Sequence, residues 1–402
     1  MYDFTLTSEQ KAFKAMCRNF ATKELAPIVG KADLVPDPKD AWGVVAPVMN
    51  KALKLGLGKV GIPEEYGGGG AGMVETMILA EEFGAVDYGF AMSLWVTTTA
   101  TRLLLNGTEA QKKKWWGPTI ADETGKYIWA TVSTEPPGGN EMMCPLPDTQ
   151  MGIHTSAIRD GKGYRIKGQK LFITNGGEAE VLIVNARTRP DLPNAQGCNW
   201  FLFHKDTPGF SVGRYDSKIG GRLSTNTELF FDDMWVPEED MIGEEGKGFW
   251  VIERIYLENS LTLAATCIGV ARTAYNYALE HARNRIIWGK PIIEYQGTST
   301  RLVQMKLKIE TLRALCEKLA WALDNPAEAE GLDKLTKLAK YYSGQVVHEV
   351  TADAAYIFGG YGLMKGIPVE KLIRDGLLTR VVEGCVEANE WMTAQYDLKP
   401  IV

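Results

Sequence analysis

The sequence predicts an α+β protein with an all-helical N-terminal domain, a small central β-domain and a helical C-terminal domain. Three observations lead there. Apolar residues step by threes and fours through residues 8–120, short alternating runs fill residues 127–236, and helical spacing returns after Pro237 over much longer stretches. The boundaries fall at 1–125, 126–240 and 241–402, and 402 residues suffice for two or three domains with a large core.

Thr7-Ser8-Glu9-Gln10 offers an N-cap, followed by Phe13, Met16, Phe20 and Leu25 at helical spacing, with Pro27 near the end. The pattern recurs at Ala46–Leu55, Met73–Phe83, Ser93–Leu105 and Glu109–Ile120. Between them, Gly67-Gly68-Gly69-Gly70-Ala71-Gly72 formally satisfies G-x-G-x-x-G, with Asp87 downstream. Pro63-Glu64-Glu65-Tyr66 precedes it where a dinucleotide fold needs a buried strand, so a flexible inter-helix loop is expected. Tyr164–Lys167, Val181–Val184, Trp200–Phe203 and Glu228–Phe231 read as strands, and Asp160-Gly161 as a tight turn before the first of these.

Beyond Pro237, Phe249, Ile252, Tyr256, Leu263, Cys267, Ala271, Ala274, Ala278 and Ala282 mark a helix ending at Gly289-Lys290-Pro291. Such a run spans ~60 Å at the helical rise, and its stripe is broader than one partner needs, which predicts a homo-oligomer. Leu302 to Leu323 gives a second helix and Leu332–Ile357 a third. A last helix, 372–395, is interrupted at Glu383-Gly384.

A net charge of -6 supplies no basic field for nucleic acid, and Lys112-Lys113-Lys114 reads as one exposed helix face. Six cysteines without a Cys-x-x-Cys pair and four unpaired histidines suggest neither a disulfide framework nor a metal site. No apolar run reaches the ~18 residues of a membrane span, and the N-terminus lacks a signal core or a basic presequence. A cytoplasmic protein is expected.

Three stretches carry candidate chemistry. In Trp129–Glu135, Thr131, Ser133 and Thr134 offer hydroxyls ahead of a Pro-Gly-Gly turn at Pro137-Gly138-Gly139, which permits close approach of a planar polar ring; a plain edge strand is the structural alternative. In Lys170–Gly177, Phe172 and Thr174 stand two apart, hence on one face, as an aromatic wall beside a hydroxyl. Glu383 precedes Gly384 after Leu377, Leu378, Val381 and Val382. A carboxylate so placed can sit in a dry cleft as a general base, the alternative being a solvated residue at a helix end.

Phe358-Gly359-Gly360-Tyr361-Gly362, Pro368-Val369-Glu370-Lys371, Arg374-Asp375 and Glu383-Gly384, in that order, resemble the C-terminal signature of the acyl-CoA dehydrogenases. The blocks around Thr134-Glu135-Pro136, Ile173-Thr174-Asn175-Gly176, Lys218–Ser224, Phe231–Pro237, Gly246–Phe249 and Arg285–Gln296 are similar to that family too, and together they cover nearly the whole chain. The resemblance implies a central β-barrel-like domain, a C-terminal four-helix bundle, a homotetramer, and FAD lying between domains and across a subunit interface. It implies that Thr131, Ser133, Thr134, Phe172 and Thr174 meet the flavin. Arg285, Trp288, Gln296, Gly359, Gly360, Cys385 and Glu387 would complete the FAD site, and Asn140, Arg222 and Gly384 would face substrate.

By the same resemblance Glu383 takes the α-proton of an acyl-CoA thioester, hydride passes to the flavin, and electrons leave to an electron-transfer flavoprotein. A flavin oxidase or monooxygenase acting on a non-CoA substrate is the alternative on the same fold. Several positions depart from the family pattern: Asn140 for Ser, Phe172 for Trp, Tyr356 for Gln, Cys385 for Thr, and Glu387 and Glu390 for Gln and Arg. Leu257 and Ser260 replace the Asp and Arg that meet the CoA end, and Asn259 stands where some members carry their base, which makes adjacent Glu258 a competing candidate. Gly89 stands where some members recognise a dicarboxylyl group through Arg, while Trp95, Trp129, Trp200 and Trp250 are available to shape a pocket for a branched, cyclic or aryl acyl group.

Overall fold

The computed structural model describes residues 5–139, 141–144, 146–329, 331–332 and 335–394. It begins with helices α1 (Ser8–Phe20), α2 (Ala26–Leu34), α3 (Pro38–Lys54), α4 (Met73–Gly84), α5 (Tyr88–Leu103) and α6 (Glu109–Ala121). Their starts are fixed by side chains that satisfy first-turn N–H groups: Thr7 with Gln10 at α1, Asp37 at α3, Asp87 at α5, and Thr108 with Gln111 at α6. The glycine run before α4 is pinned where a flexible loop was expected, because Gly70 and Ala71 donate to the carbonyls of Ile62 and Val60. A Cβ at Gly68 would lie 2.0 Å from the Ile62 carbonyl oxygen, so glycine is required there by backbone contact.

The sheet comprises β1 (Trp129–Val132), β2 (Ser156–Asp160), β3 (Gly163–Thr174), β4 (Val181–Arg187), β5 (Cys198–His204), β6 (Phe210–Tyr215), β7 (Asn226–Pro237) and β8 (Met241–Ile242); a single-turn helix, α7 (Asn194–Gly197), precedes β5. Its order is β6-β7-β3-β2-β4-β5-β8, with β1 added parallel to β4. The turn at Asp160-Gly161 joins β2 to β3, with Gly161 at φ 60°. One face of the sheet, including Ile166, Leu182, Val184 and Phe231, shares a core with Cys17, Leu25, Phe83 and Leu94 of the N-terminal helices. In β3 the register with β7 slips between Lys170 and Ile173, and Phe172 takes φ 58°. Strict alternation therefore fails at this bulge, and it is not the pleat that relates Phe172 to Thr174.

The chain then returns to helix: α8 (Gly248–Asn284), a ribbon of β9 (Ile286–Ile287) and β10 (Lys290–Pro291), α9 (Gln296–Asp324), α10 (Thr336–Phe358), α11 (Pro368–Leu378) and α12 (Val386–Thr393). With 37 residues α8 is about 55 Å long, and residues 260–271 are buried on every side. It packs against α4 and α5 of the N-terminal domain as well as α9, α10 and α11. The broad stripe expected to serve another subunit is thus covered within the chain, and its breadth no longer argues for an oligomer. At the α4–α8 crossing two glycines meet: a Cβ at Gly84 would lie 2.6 Å from the Thr266 oxygen, and one at Gly269 2.3 Å from the Glu81 oxygen. The interruption expected at Glu383-Gly384 is present and wider than expected, since α11 stops at Leu378 and a turn segment, 379–385, separates it from α12.

Candidate active site

A cavity of about 1020 Å³ opens where the three parts of the chain meet. Its walls include Met92, Trp95, Val96 and Thr99 from α5; Thr131, Ser133 and Thr134 with the glycine turn; Phe172, Ile173 and Thr174 from the end of β3; Tyr256 and Asn259 from α8; and Leu377, Leu378 and Val381 to Cys385. Glu383 and Gly384 line it from two consecutive left-handed positions, φ 55° and 80°. A glutamate in that region is strained at a cost of about 1–3 kcal/mol, so surrounding contacts must hold it. Tyr256 Oη donates to the Glu383 carbonyl oxygen at 3.2 Å, and Val386 N–H donates to the Arg380 carbonyl at 2.9 Å, closing the turn.

Burial raises the Glu383 carboxyl above its ordinary range, while the Lys340 ammonium and a hydrogen bond from Asn259 oppose that rise. The Asn259 side-chain oxygen is itself buried without a partner among the described residues. Glu258, the competing candidate, belongs to a different environment. Its two oxygens are gripped by Arg102 Nε and Nη2 at 2.7 and 3.0 Å, and it does not line the cavity.

Elsewhere along the cavity, a buried ion pair fixes the first strand's end. Lys170 Nζ lies 2.9 Å from Glu135 and also donates to the Ser133 carbonyl at 2.9 Å, while Leu171 N–H donates to the Thr134 carbonyl at 2.9 Å. Burial alone would raise Glu135, but Lys170 and the N–H groups of Thr155 and His154 hold it below the usual carboxylate range. Asn226 Nδ2 steadies the bulge by donating to the Phe172 carbonyl at 2.6 Å and to Thr174 Oγ1 at 3.2 Å.

Profiles described as the N-terminal, middle and C-terminal domains of acyl-CoA dehydrogenase match residues 7–123, 130–234 and 246–395. The chain belongs to the acyl-CoA dehydrogenase family. An acyl-CoA dehydrogenase of Bacillus subtilis (strain 168) is 33% identical over 396 residues, 97% of this chain and 98% of the relative. The three-dimensional structure of butyryl-CoA dehydrogenase from Megasphaera elsdenii matches with a TM-score of 0.89 at 32% identity, covering 99% of this chain and 100% of that one. A chain from a structure described as the electron transferring flavoprotein of Acidaminococcus fermentans matches at 0.88 and 31% identity, with 99% and 100% covered.

Acyl-CoA dehydrogenases are FAD-dependent oxidoreductases, and FAD is the cofactor here. The residues present fit a flat ring with a polar edge. Ser133 Oγ is buried with no partner among the described residues, and a Cβ at Gly138 or Gly139 would meet nothing closer than 3.9 or 3.6 Å. Phe172, 57% exposed, offers an aromatic face to the same cavity.

Other residues expected from the acyl-CoA dehydrogenase pattern lie elsewhere. Arg222 does not reach the cavity: its guanidinium donates to the backbone carbonyls of Asp33, Val35, Pro36 and Lys218, tying the end of α2 to the β6–β7 connection. Arg285, Gln296, Gly359 and Gly360 belong to the far end of the bundle, where Trp288, Tyr295, Arg301 and Tyr356 border a groove of about 430 Å³. Trp288 is 90% exposed there. Glu387 is exposed beside Arg380, Cys385 lines the cavity while capping α12, and Asn140 falls outside the described residues.

Of the tryptophans, Trp95 borders the cavity, whereas Trp129 and Trp200 are core residues bonded to Thr119 and to the Gly248 carbonyl; the Trp250 side chain lies outside the description. Leu257 and Ser260 are buried and do not line the cavity. Sequence reasoning missed Tyr256 and Lys340 as neighbours of Glu383. Tyr256 and Asn259 do stand three apart on one helix face, and Lys340 occupies a core position of an apolar stripe.

Proposed function

We propose that the protein dehydrogenates an acyl-CoA thioester between Cα and Cβ to the 2-enoyl-CoA, with Glu383 as the base and an electron-transfer flavoprotein as electron acceptor. The observation that carries this reading is a half-buried glutamate, raised by burial, in the cavity that the Ser133–Gly139 segment also lines. An α-proton beside a thioester is weakly acidic, so its removal needs a base poised toward working pH and donors for the developing enolate oxygen. Glu383 accepts the proton, and its own backbone N–H is proposed as one such donor. When bound, FAD supplies the acceptor for the β-hydride.

Thr131, Ser133, Thr134, Phe172 and Thr174 are proposed to hold the ring, Cys385 and Gly384 to complete its surroundings, and Arg285, Trp288, Gln296, Gly359 and Gly360 to serve the FAD of a neighbouring copy. The exposed aromatic groove around Trp288 supports the last assignment and a homotetramer. Likeness to the Acidaminococcus fermentans structure supports the electron acceptor. The acyl group is proposed to be bulky, that is branched, cyclic or aryl-substituted, because Met92, Trp95 and Val96 give one wall a broad apolar surface.

Anaerobic titration of the purified yellow protein with straight, branched, cyclic and aryl acyl-CoAs tests the reading. Bleaching by branched, cyclic or aryl acyl-CoAs, with long straight chains inert, is the expected result. A flavin that no acyl-CoA bleaches would overturn it.

A further inference from the structure

We propose that Lys340 is a positioning residue for Glu383, anchoring the turn segment from behind and placing a fixed positive charge at the back of the carboxylate. This rests on the reading of Glu383 as the base. Lys340 is 0% exposed on the face of α10 that also buries Ser343, Val347 and Val350. Its Nζ donates to the Thr379 carbonyl at 3.0 Å, and Thr379 opens the turn segment. One helical turn on, Gly344 lets that segment lie close, since a Cβ there would meet Val386 at 2.9 Å and the Thr379 oxygen at 3.3 Å.

A neutral donor would suffice to bond a carbonyl. An enclosed ammonium is costly unless a nearby group offsets the charge, so a lysine here points to an electrostatic role. Burial does depress the Lys340 ammonium, and Cys267, Glu383, Cys385 and Glu387 act to restore it. Other groups around Glu383 include Tyr256 and Asn259 of α8 and Tyr88 of α5, and Arg214, Asp216 and Lys218 line the same cavity. Both tyrosines are pushed upward by burial and stay neutral. Lys337 lies over the Tyr256 ring at 5.8 Å, Arg380 faces Glu387, and the Lys340 charge opposes the effect of burial on Glu383.

The test uses the FAD-loaded enzyme with Lys340→Met, Lys340→Gln and, as reference, Glu383→Gln. Stopped-flow flavin reduction by saturating acyl-CoA is followed across pH, alongside thermal unfolding. Without the ammonium the carboxylate holds its proton more firmly. The acid limb should move up by about one pH unit or more in both Lys340 variants, a roughly tenfold loss at the acidic end, with the alkaline plateau within a few-fold. Gln keeps a donor for Thr379, so a wild-type profile in Lys340→Gln would overturn the charge role. A lowered plateau with an unmoved limb would reduce Lys340 to structure; if the Met variant does not fold, the Gln variant decides. Flavin reduction that survives Glu383→Gln would instead overturn the assignment of the base.

Discussion

Glu383 combines three things that rarely coincide in one side chain: a left-handed backbone, a place on a cavity wall, and a carboxyl raised by burial. Glu383→Gln keeps the shape but cannot accept a proton, so stopped-flow bleaching should slow by at least ~10²–10⁴-fold while acyl-CoA binding persists. The same raised carboxyl makes a prediction about stability. Between its unfolded and folded values the native state holds the proton that the unfolded chain has lost, so stability falls as pH rises through that window. At neutral pH Glu383→Gln should therefore unfold at a higher temperature than the parent, and a lower one would contradict the linkage. Glu258→Gln should do the reverse: reduction within a few-fold, but a stability loss of roughly 3–5 kcal/mol from an Arg102 left buried without its charge partner, read from denaturant unfolding. The Glu383-Gly384 pair was legible in the sequence because an acid before glycine after an apolar run is a local signal. Asn259 and Lys340 were not legible as its neighbours, since each comes from a different helix and only packing brings them together. Arg222 shows a different limit: a motif arginine whose guanidinium donates to four nearby carbonyls that its sequence position does not reveal.

The strands show how an element can be right in outline and wrong in detail. The four expected runs lie within β3, β4, β5 and β7, because alternating burial over a one-sided core writes itself into sequence. The bulge in β3 does not, since no glycine or asparagine at position 172 marks the left-handed residue; Asn226, on the neighbouring strand, supplies the bond that steadies it. Likewise β2 and β6 escaped notice, being short and largely exposed. The cross-link between Glu135 and Lys170 joins the first strand's end to β3 and thereby sets the spacing of two cavity walls. Lys170→Met should strand Glu135 in the interior, cost roughly 3–5 kcal/mol, and let FAD escape during gel filtration. Retention of FAD with unchanged unfolding would show that the pair does not hold the site.

At the scale of the molecule, α8 is the shared member: helices from both ends of the chain pack on it, and the cavity lies between its Tyr256–Asn259 stretch and α5. No helix among the described residues is long and apolar enough to cross a membrane. With the α8 stripe accounted for internally, the proposed association of copies rests on the exposed surface around Trp288. Trp288→Ala is expected to weaken both assembly and FAD retention, with sedimentation as the measure; an intact oligomer would move the interface elsewhere. The Gly84–Gly269 crossing fixes how closely α4 approaches α8, and α5 packs against both helices. Gly269→Ala should push the helices apart at a cost of about 1–3 kcal/mol, visible as a lower unfolding temperature. Because that contact is main chain on main chain, it works as a spacer with no adjustable part: no rotamer change can widen it. The gap between α5 and α8 is then a fixed dimension, and acyl groups of different girth can be admitted only by trimming the side chains that face it.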